Sequence, residues 1–351
     1  MSISSSVPSA VAAADPSAAP ADVDRAVAAA TEPGAEPADT ASPDPAADTD
    51  PAVDTGAAPD AGAPSGSGTG SDAAGAAAPE AGASTGAPAG PLYVVGDVHG
   101  QYEPLLAALA DTGLVDGDGH WSGGTARVWF LGDLTDRGPD GIGVVRLVRR
   151  LGREAAQVGG FVDTLLGNHE ILLLGSRRFD EEQIDLPAGA RSFRATWQLN
   201  GGRDSDLDAL TDDEADWLAT RPAMARADDF LLAHSDTVAY LDYGDSVEQI
   251  VAALRTELAD GDATRWWECF RQLTRRHDFR GEDGPARVGE VLDTLGGRQF
   301  VHGHSPIPEH LAVDPSEVTE PLRYAEGKAL SVDGGLFAGG PCLVTRLPYA
   351  P

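Results

Sequence analysis

The chain has 351 residues, of which 56 are Asp or Glu and 25 are Lys or Arg, so its formal net charge is −31 at pH 7. The acidic excess runs through both the first 90 residues and the remainder. Nucleic acids and anionic membrane surfaces bind to basic patches, so this charge distribution excludes both as expected partners.

Residues 1–90 contain no Phe, Trp or Tyr and consist largely of Ala, Pro, Gly, Ser, Thr and Asp. Such a composition cannot bury a hydrophobic core. We therefore predict a disordered acidic tail over residues 1–90, whose partner the sequence does not identify. Residues 91–351 are long enough for one α/β domain with a single large core.

The amino-terminal segment lacks the positive start and the unbroken apolar core of a secretory signal. No stretch of the sequence approaches the roughly 20 apolar residues of a membrane span. We therefore expect a cytoplasmic protein without a membrane partner. The only cysteines, Cys269 and Cys342, are too few for a disulfide framework or a thiolate metal site.

The first predicted element is a short apolar strand, Leu92 to Val95, which runs into GDVHG at residues 96–100. A helix is expected over residues 101–114, because its leucines recur at nearly helical spacing. Asp97 and His99 lie two residues apart in the loop between these elements. A carboxylate oxygen and an imidazole nitrogen can therefore reach the same metal ion.

A second strand, Val128 to Leu131, runs into GDLTDRG at residues 132–138, and an amphipathic helix is predicted over residues 141–158. Asp133 occupies the place in this unit that Asp97 occupies in the first. A carboxylate between two cations can bind both, which holds them at the roughly 3.5–4 Å that two-metal hydrolysis requires. We expect Asp133 to be this bridge.

A third strand, Phe161 to Leu166, runs into GNHE at residues 167–170. Asn168 can supply a neutral oxygen to the second metal ion. Further along, TDDE at residues 211–214 and SVEQ at residues 246–249 have the spacing of capping boxes, so helices are expected to start at both.

Two later strands also end in histidine. Phe230 to Ala233 precedes His234, and Gln299 to Val301 precedes HGHS at residues 302–305. A helix over residues 286–295 is expected between them, ending at a Gly-Gly pair. Leu330 to Val332, a Gly-Gly turn and Cys342 to Leu347 are predicted to form a terminal hairpin.

Ligands of α/β proteins lie outside the carboxyl ends of strands, so these five polar strand ends should meet in one crevice. His234 and His304 would complete the second metal site with imidazoles. Local spacing does not separate His302 from His304, because residues two apart on an extended segment point the same way.

The motifs GDVHG, GDLTDRG and GNHE, followed by two later histidines, resemble those of the calcineurin-like metallophosphoesterase superfamily. Within it they resemble the phosphoprotein-phosphatase-like branch, which includes bacterial Ser/Thr phosphatases and dinucleoside tetraphosphatases. The resemblance covers residues 92–347. It implies two packed β-sheets with helices on both outer faces, a four-layer α/β fold.

The resemblance also implies the ligands of two divalent cations, with Mn placed first and Fe, Zn, Ni or Co as alternatives. It favours His304 over His302 as a ligand and leaves His302 as a nearby partner. The implied metal-binding set is Asp97, His99, Asp133, Asn168, His234 and His304.

Catalytic roles follow from the same resemblance. Arg137 would bind a phosphate oxygen, and Asp136 would orient His169, which protonates the leaving oxygen. A water or hydroxide shared by the two metal ions would attack phosphorus in line, with no phosphoenzyme intermediate.

Two substrate-binding residues are less sharply defined. The family pattern places a second phosphate-binding arginine between the late histidines, and we select Arg280 among six arginines there, although a surface role fits each of them as well. The segment TWQLNGG, residues 196–202, resembles a stretch that follows GNHE in bacterial phosphatases and dinucleoside tetraphosphatases. Asn200 would face the substrate or shape the turn.

The sequence thus predicts a metal-dependent hydrolase of a phosphate monoester, with protein phosphoserine or phosphothreonine among the candidate substrates. One alternative is a dinucleoside polyphosphate hydrolase, and another is a catalytically inactive scaffold that binds a partner. The expected substrate is a phosphorylated small molecule, a nucleotide or a phosphoprotein.

Overall fold

The computed structural model describes residues 90–186 and 189–350. Residues 1–89 lie outside this range, so the predicted acidic tail stays a prediction. Within the described residues, no helix is both long enough and apolar enough to cross a membrane.

The strands are short, three or four residues each, and they alternate with helices along most of the chain. The strands are β1 (Leu92–Val95), β2 (Arg127–Phe130), β3 (Phe161–Thr164), β4 (Met224–Ala227), β5 (Phe230–Ala233), β6 (Gln299–His302), β7 (Leu322–Tyr324), β8 (Ala329–Ser331) and β9 (Val344–Leu347).

The helices differ more in length, and the longest follows β2. The helices are α1 (Tyr102–Asp111), α2 (Gly141–Gln157), α3 (Asn168–Phe179), α4 (Phe193–Leu199), α5 (Asp204–Ala209), α6 (Asp212–Ala219), α7 (Val247–Asp260), α8 (Ala263–Thr274), α9 (Gly284–Leu295) and α10 (Ile307–Leu311). Short 3-10 turns cover Ala239–Tyr243, Pro315–Glu317, Ala325–Gly327 and Leu336–Ala338.

The described strands form two sheets, in the orders β3-β2-β1-β9 and β4-β5-β6-β8-β7. Strands β1, β2 and β3 are mutually parallel, and so are β5, β6 and β8. Each parallel set is joined by crossovers that contain helices, as parallel pairing requires. The carboxyl ends within each set therefore lie along one edge of its sheet.

Alternate residues of the strands belong to two different cores, as the two-residue period of a strand dictates. Leu92 and Val94 of the first sheet pack in one cluster with Phe230, Leu232 and other residues of the second sheet. This cluster is the layer between the sheets.

The opposite faces of the strands belong to a larger cluster that contains the buried sides of the helices. Val128 and Phe130 are its members from the first sheet, and Leu231 and Phe300 are members from the second. The predicted pair of sheets flanked by helices is confirmed.

The predicted terminal hairpin is wrong. Strand β8 pairs with β6 and β7 in the second sheet, whereas β9 pairs antiparallel with β1 in the first. Gly334 and Gly335 begin a crossing between the sheets, and Gly335 has φ 73°. The apolar run at residues 344–347 is a half-buried strand as predicted, but its partner is β1, which is distant in sequence.

Candidate dimetal site

The loop after β1 carries Asp97 and His99, both of which are buried. The backbone N–H of His304 donates to the two carboxylate oxygens of Asp97 at 2.9 and 3.1 Å. His99 donates from Nδ1 to the carbonyl oxygen of Thr135 at 3.1 Å. This bond fixes the ring orientation and leaves Nε2, with its lone pair, facing the cleft.

Asp133, in the loop after β2, lies at the centre of the acidic and imidazole groups. Its Oδ2 is 3.7 Å from His99 Nε2 and 4.0 Å from His169 Nε2, and its Oδ1 is 3.3 Å from His234 Nε2. The backbone N–H of His169 donates to Oδ1 at 3.0 Å. Each carboxylate oxygen therefore faces a different set of imidazoles.

Asp133 belongs to both candidate metal-binding groups of the described residues. One group contains Asp97, Asp133, His234 and His304, and the other contains His99, Asp133 and His169. The ligand atoms in each group lie within 4.8 Å of one another. The sequence paired Asp97 with His99, whose Nε2 is 3.9 Å from Asp97 Oδ2, and the structure also groups Asp97 with the two late histidines.

Asn168, the first residue of α3, points its Oδ1 at His234 Nε2, 2.8 Å away. His234 donates from Nδ1 to the carbonyl oxygen of Leu131 at 2.8 Å, so Nε2 faces the site. His304 instead bonds through Nε2 to the carbonyl oxygen of Thr274 at 3.0 Å, which leaves Nδ1 available. In each case a backbone carbonyl anchors one ring nitrogen, which orients the other for a ligand role.

The buried carboxylates of this region would be stabilised by added positive charge. Burial raises the pKa of Asp97 well above its usual range, and the carboxylates of Asp333 and Asp133 raise it further. Burial lowers the pKa of His234, but the Asp133 carboxylate, the Asp97 carboxylate and the carbonyl oxygen of Leu131 together outweigh burial and raise that pKa to about 10. Several carboxylates confined in a dry cleft are stabilised by cations, so these residues fit the expected metal ions.

The backbone of the site is strained. His99, Asp133, Asp136, Arg137 and His304 have φ values of 46°, 52°, 69°, 62° and 60°. Non-glycine residues rarely adopt this left-handed region, and such residues concentrate where function demands a particular geometry. Of these residues, His99, Asp133, Arg137 and His304 line the same cleft.

Arg137 lies between two imidazoles. Its Nη1 is 3.1 Å from His99 Nε2 and its Nη2 is 3.2 Å from His169 Nε2. The ring of Phe337 packs on the guanidinium, with its centroid 4.2 Å from Cζ. Phe337 could not be identified from the sequence, because this residue follows a glycine-rich turn that belongs to no recognised motif.

His169 and Asp136 form a buried pair. His169 Nδ1 donates to Asp136 Oδ2 at 2.8 Å, and both side chains are at least 98% buried. The structure thus brings together the two residues that the resemblance links, although it does not test their catalytic roles.

Glu170, the last residue of GNHE, was assigned no role from the sequence. Its carboxylate accepts hydrogen bonds from the backbone N–H groups of Asp133, Leu134 and Gly167 at 2.9, 2.8 and 3.0 Å. Burial, followed by the Asp133 carboxylate, raises its pKa to about 7. Glu170 thereby fixes the loop that presents Asp133, and its place in GNHE was the signal for it in the sequence.

Asp333 is a second site residue that sequence reasoning missed. It is 2% exposed and lines the cleft together with Asp97 and Arg137. Its Oδ1 accepts from the N–H of Gly335 at 2.9 Å. The signal was a carboxylate directly after strand β8, which repeats the pattern of the earlier strand ends.

The candidate substrate-binding residues differ in position. Asn200 lines the cleft, but its Nδ2 donates to the carbonyl oxygen of Thr196 at 2.8 Å, so it also shapes the turn after α4. Arg276 lines the cleft, with an Nη1 that is 3.5 Å from Glu309 Oε2. Arg280 is not among the cleft residues of the described chain.

His302 faces away from the candidate metal ligands. Its Nε2 is 2.8 Å from the hydroxyl of Tyr324, and its Nδ1 is 2.8 Å from the carbonyl oxygen of Gly303. These contacts place it beside the site, in agreement with the choice of His304 as the residue that points into it.

A family model for calcineurin-like phosphoesterases matches residues 90–327. The chain belongs to the calcineurin-like phosphoesterase family. The resemblance inferred from the motifs is therefore confirmed, and the chain is classed with hydrolases that act on phosphoric ester bonds. Its cluster of carboxylates and imidazoles supplies candidate ligands for two metal ions.

Individual relatives of this calcineurin-like phosphoesterase fall into two groups. Shewanella-like protein phosphatase 2 of Arabidopsis thaliana is 28% identical over 258 residues, which are 72% of this chain and 54% of that protein. A symmetrical bis(5'-nucleosyl)-tetraphosphatase of Photorhabdus laumondii is 31% identical over 145 residues, 40% of this chain and 41% of that protein. The chain thus spans about half or less of the length of these relatives.

Among solved structures, a cold-active protein tyrosine phosphatase aligns with a TM-score of 0.57 and 20% identity, covering 74% of each chain. Another structure of such a phosphatase, from a psychrophilic Shewanella species, aligns with a TM-score of 0.54 and 21% identity, covering 74% of this chain and 76% of that one. At these identities the likeness concerns the fold alone.

Proposed function

We propose that the chain hydrolyses a phosphate monoester with the help of two divalent cations. The observation that carries the proposal is the position of Asp133, whose two carboxylate oxygens face different imidazole sets and which both candidate ligand groups share. A shared carboxylate is what a two-metal site requires.

The chain offers six ligands for these cations. Asp97, His99 and Asp133 would hold one ion, and Asp133, Asn168, His234 and His304 would hold the other. When bound, the cations would polarise a phosphoryl oxygen and lower the pKa of a water molecule. Mn is our first choice of metal, with Fe, Zn, Ni and Co also compatible with oxygen and imidazole ligands.

Arg137 would bind the phosphate. Its guanidinium now bridges His99 and His169, and a planar donor fork can exchange such neutral acceptors for two phosphate oxygens with stronger, charge-assisted bonds. The family pattern selected Arg280 as the second phosphate-binding arginine. Of the two candidates only Arg276 lines the cleft, so we propose Arg276 for this role.

His169 would act as the general acid. Asp136 accepts a hydrogen bond from Nδ1–H, which leaves Nε2 directed toward Arg137 and the phosphate position. As the P–O bond breaks, the Nε2 proton would move to the departing oxygen, and the imidazole would recover a proton from solvent. The Asp136 carboxylate stabilises the imidazolium that precedes this transfer.

A dinucleoside polyphosphate hydrolase is the second candidate. The symmetrical bis(5'-nucleosyl)-tetraphosphatase of Photorhabdus laumondii shares 31% identity over 145 residues with this chain. Asn200 of the TWQLNGG segment lines the cleft, where it would meet the leaving nucleotide. A comparison of kcat/KM for diadenosine tetraphosphate with that for a phosphoserine peptide separates the two candidates.

The first experiment is p-nitrophenyl phosphate hydrolysis by the full chain, with EDTA and then with Mn²⁺ added back. We expect turnover to vanish with EDTA, to return with Mn²⁺ and to be lost in Asp133→Asn. Asp118→Asn, which changes an exposed carboxylate, is the matched control and should behave like the wild type. Folded protein without turnover for any cation would favour a binding scaffold instead.

A further inference from the structure

Both carboxylate oxygens of Asp136 have a side-chain partner. Oδ2 accepts from His169 Nδ1 at 2.8 Å, and Oδ1 accepts from the indole Nε1–H of Trp197 at 2.7 Å. Asp136 and Trp197 are both fully buried, at 0% exposure. A tryptophan on helix α4 thus contacts the general-acid pair from behind.

The indole is suited to holding a carboxylate in one orientation. Its Nε1–H can only donate, and a bond to a charged acceptor is stronger than a neutral one. With Oδ1 fixed by Trp197, the carboxylate cannot rotate about its Cβ–Cγ bond without losing this contact. Oδ2 is thereby kept in line with His169 Nδ1.

The Trp197 ring is itself immobilised. A side chain at Gly202 would place its Cβ 2.2 Å from the indole, so the backbone of Gly202 lies directly on the ring. Arg194 packs on the other part of the indole, with Cζ 5.4 Å from the ring centroid. The donor therefore cannot turn away from Asp136.

The same segment also holds the neighbouring residue. The carbonyl oxygen of Gly201 accepts from the backbone N–H of Arg137 at 2.8 Å. Asp136 and Arg137 have φ values of 69° and 62°, a conformation that persists only when surrounding contacts enforce it. The TWQLNGG segment supplies two of those contacts.

We propose that Trp197 is a positioning residue for the general acid, acting through Asp136 on His169; this inference rests on the proposed function. This role requires no contact of Trp197 with the substrate or the metal ions. It sets the orientation of Asp136, which sets the ring angle of His169 and the direction in which Nε2 delivers its proton to the leaving oxygen.

The proposal predicts a dependence on the leaving group. An alkoxide must receive the His169 proton as the P–O bond breaks, whereas p-nitrophenolate departs with little protonation. Loss of the Trp197 donor should therefore slow alkyl phosphates and spare p-nitrophenyl phosphate.

The test is Trp197→Phe, which keeps most of the ring volume and deletes the N–H. For β-glycerol phosphate we expect kcat to fall about tenfold with KM unchanged, and for p-nitrophenyl phosphate we expect kcat within about twofold of wild type. The matched control is Trp121→Phe, which removes an exposed indole bond to the carbonyl oxygen of Gly124 and should alter neither substrate. Equal losses on both substrates, or none, would overturn the proposal.

A double-mutant comparison tests whether Trp197 acts through Asp136. In an Asp136→Asn background, Trp197→Phe should cause no further loss of β-glycerol phosphate turnover, because the residue through which it acts is already disabled. An independent tenfold loss in that background would contradict the proposal.

A readout without activity separates this inference from the proposed function. In the ¹H–¹⁵N spectrum of the full chain, the indole signal that Trp197→Phe removes should show slow hydrogen exchange. In Asp136→Asn the same signal should shift and exchange faster. If the wild type shows no turnover with any cation, the proposed function fails. Independently of activity, an unchanged indole signal in Asp136→Asn would refute the contact between Trp197 and Asp136.

Discussion

Arg276 and Arg280 lie four residues apart after α8, yet their guanidinium groups have different surroundings. Arg276 lines the cleft and has Glu309 as an ionic neighbour, whereas the buried Nε and Nη2 of Arg280 have no hydrogen-bond partner among the described residues. The sequence alone selected Arg280 from the family pattern, but the structure places Arg276, and not Arg280, in the cleft. The sequence could not show that Arg276 lines the cleft or that Glu309 is its neighbour.

We expect Arg276→Ala to raise KM for p-nitrophenyl phosphate about tenfold or more, because it removes a guanidinium that lines the cleft and can form a charge-assisted bond to phosphate. Arg280→Ala should raise KM less, since its guanidinium does not line the cleft. Steady-state kinetics of the two variants provide the measurement. A larger effect of Arg280→Ala would assign the phosphate contact to Arg280.

Asp206 on α5 is a buried carboxyl whose Oδ2 has no hydrogen-bond partner among the described residues. Burial, followed by the Asp136 carboxylate, raises its pKa to about 6. Because the folded pKa exceeds the unfolded one, the folded state loses stability as pH rises through about 4 to 6 and stays less stable above that range.

Asp206→Asn cannot ionise, so it should raise the thermal unfolding midpoint at pH 8 and change it much less at pH 4.5. Thermal denaturation at both pH values measures the difference. Asp208→Asn, an exposed position on the same helix, is the control and should show no such pH dependence. Equal shifts of Asp206→Asn at the two pH values would show that its charge is not the cause.

At the scale of elements, the five strands that end in candidate ligands were predicted to within two residues at each end. Helix α2 was also predicted, because its apolar face is clear in the sequence. The terminal hairpin failed for a physical reason: alternation identifies a strand, but the strand it pairs with depends on the packing of the whole domain. Glu170 and Asp333 follow strands as other site residues do, but they were missed because contacts between distant parts of the chain, such as that of Glu170 with Asp133, are what place them in the site.

The loop after β6 packs closely against the loop after β1. A side chain at Gly303 would place its Cβ 2.2 Å from Oδ1 of Asp97. The backbone of Gly303 does not have a positive φ, so alanine can adopt its conformation and the Asp97 carboxylate must move instead.

Gly303→Ala should therefore leave the unfolding midpoint in EDTA nearly unchanged and weaken Mn²⁺ binding by about tenfold or more. Isothermal titration with Mn²⁺ gives the affinity. Gly289→Ala on α9 is the matched control, since its new Cβ would make only an ordinary contact with the Lys328 side chain. Unchanged Mn²⁺ affinity in Gly303→Ala would mean that Asp97 is not a ligand.

At the scale of the whole molecule, the candidate ligands come from both sheets. Asp97, Asp133 and Asn168 follow strands of the first sheet, and His234 and His304 follow strands of the second. A cation held by this set would connect the two halves of the fold. Metal binding should then contribute to global stability as well as to catalysis.

With Mn²⁺ at about 100 times its dissociation constant, one site adds about 2.7 kcal/mol to the stability of the folded chain. We expect the unfolding midpoint to rise by roughly 5–10 °C over that in EDTA. Scanning calorimetry of the full chain is the measurement, with Asp118→Asn retaining the rise. A rise of the same size in Asp133→Asn would place the stabilising ion elsewhere.

Strand β9, the last of the fold, lies beside β1, the first, with Leu92 opposite Leu347. During translation, β1, β2 and β3 are made before β9, so one side of β1 stays without its neighbour until residues 344–347 have emerged from the ribosome. The first sheet cannot be completed before then, and a nascent chain stalled before residue 344 would expose an unsatisfied strand edge to chaperones.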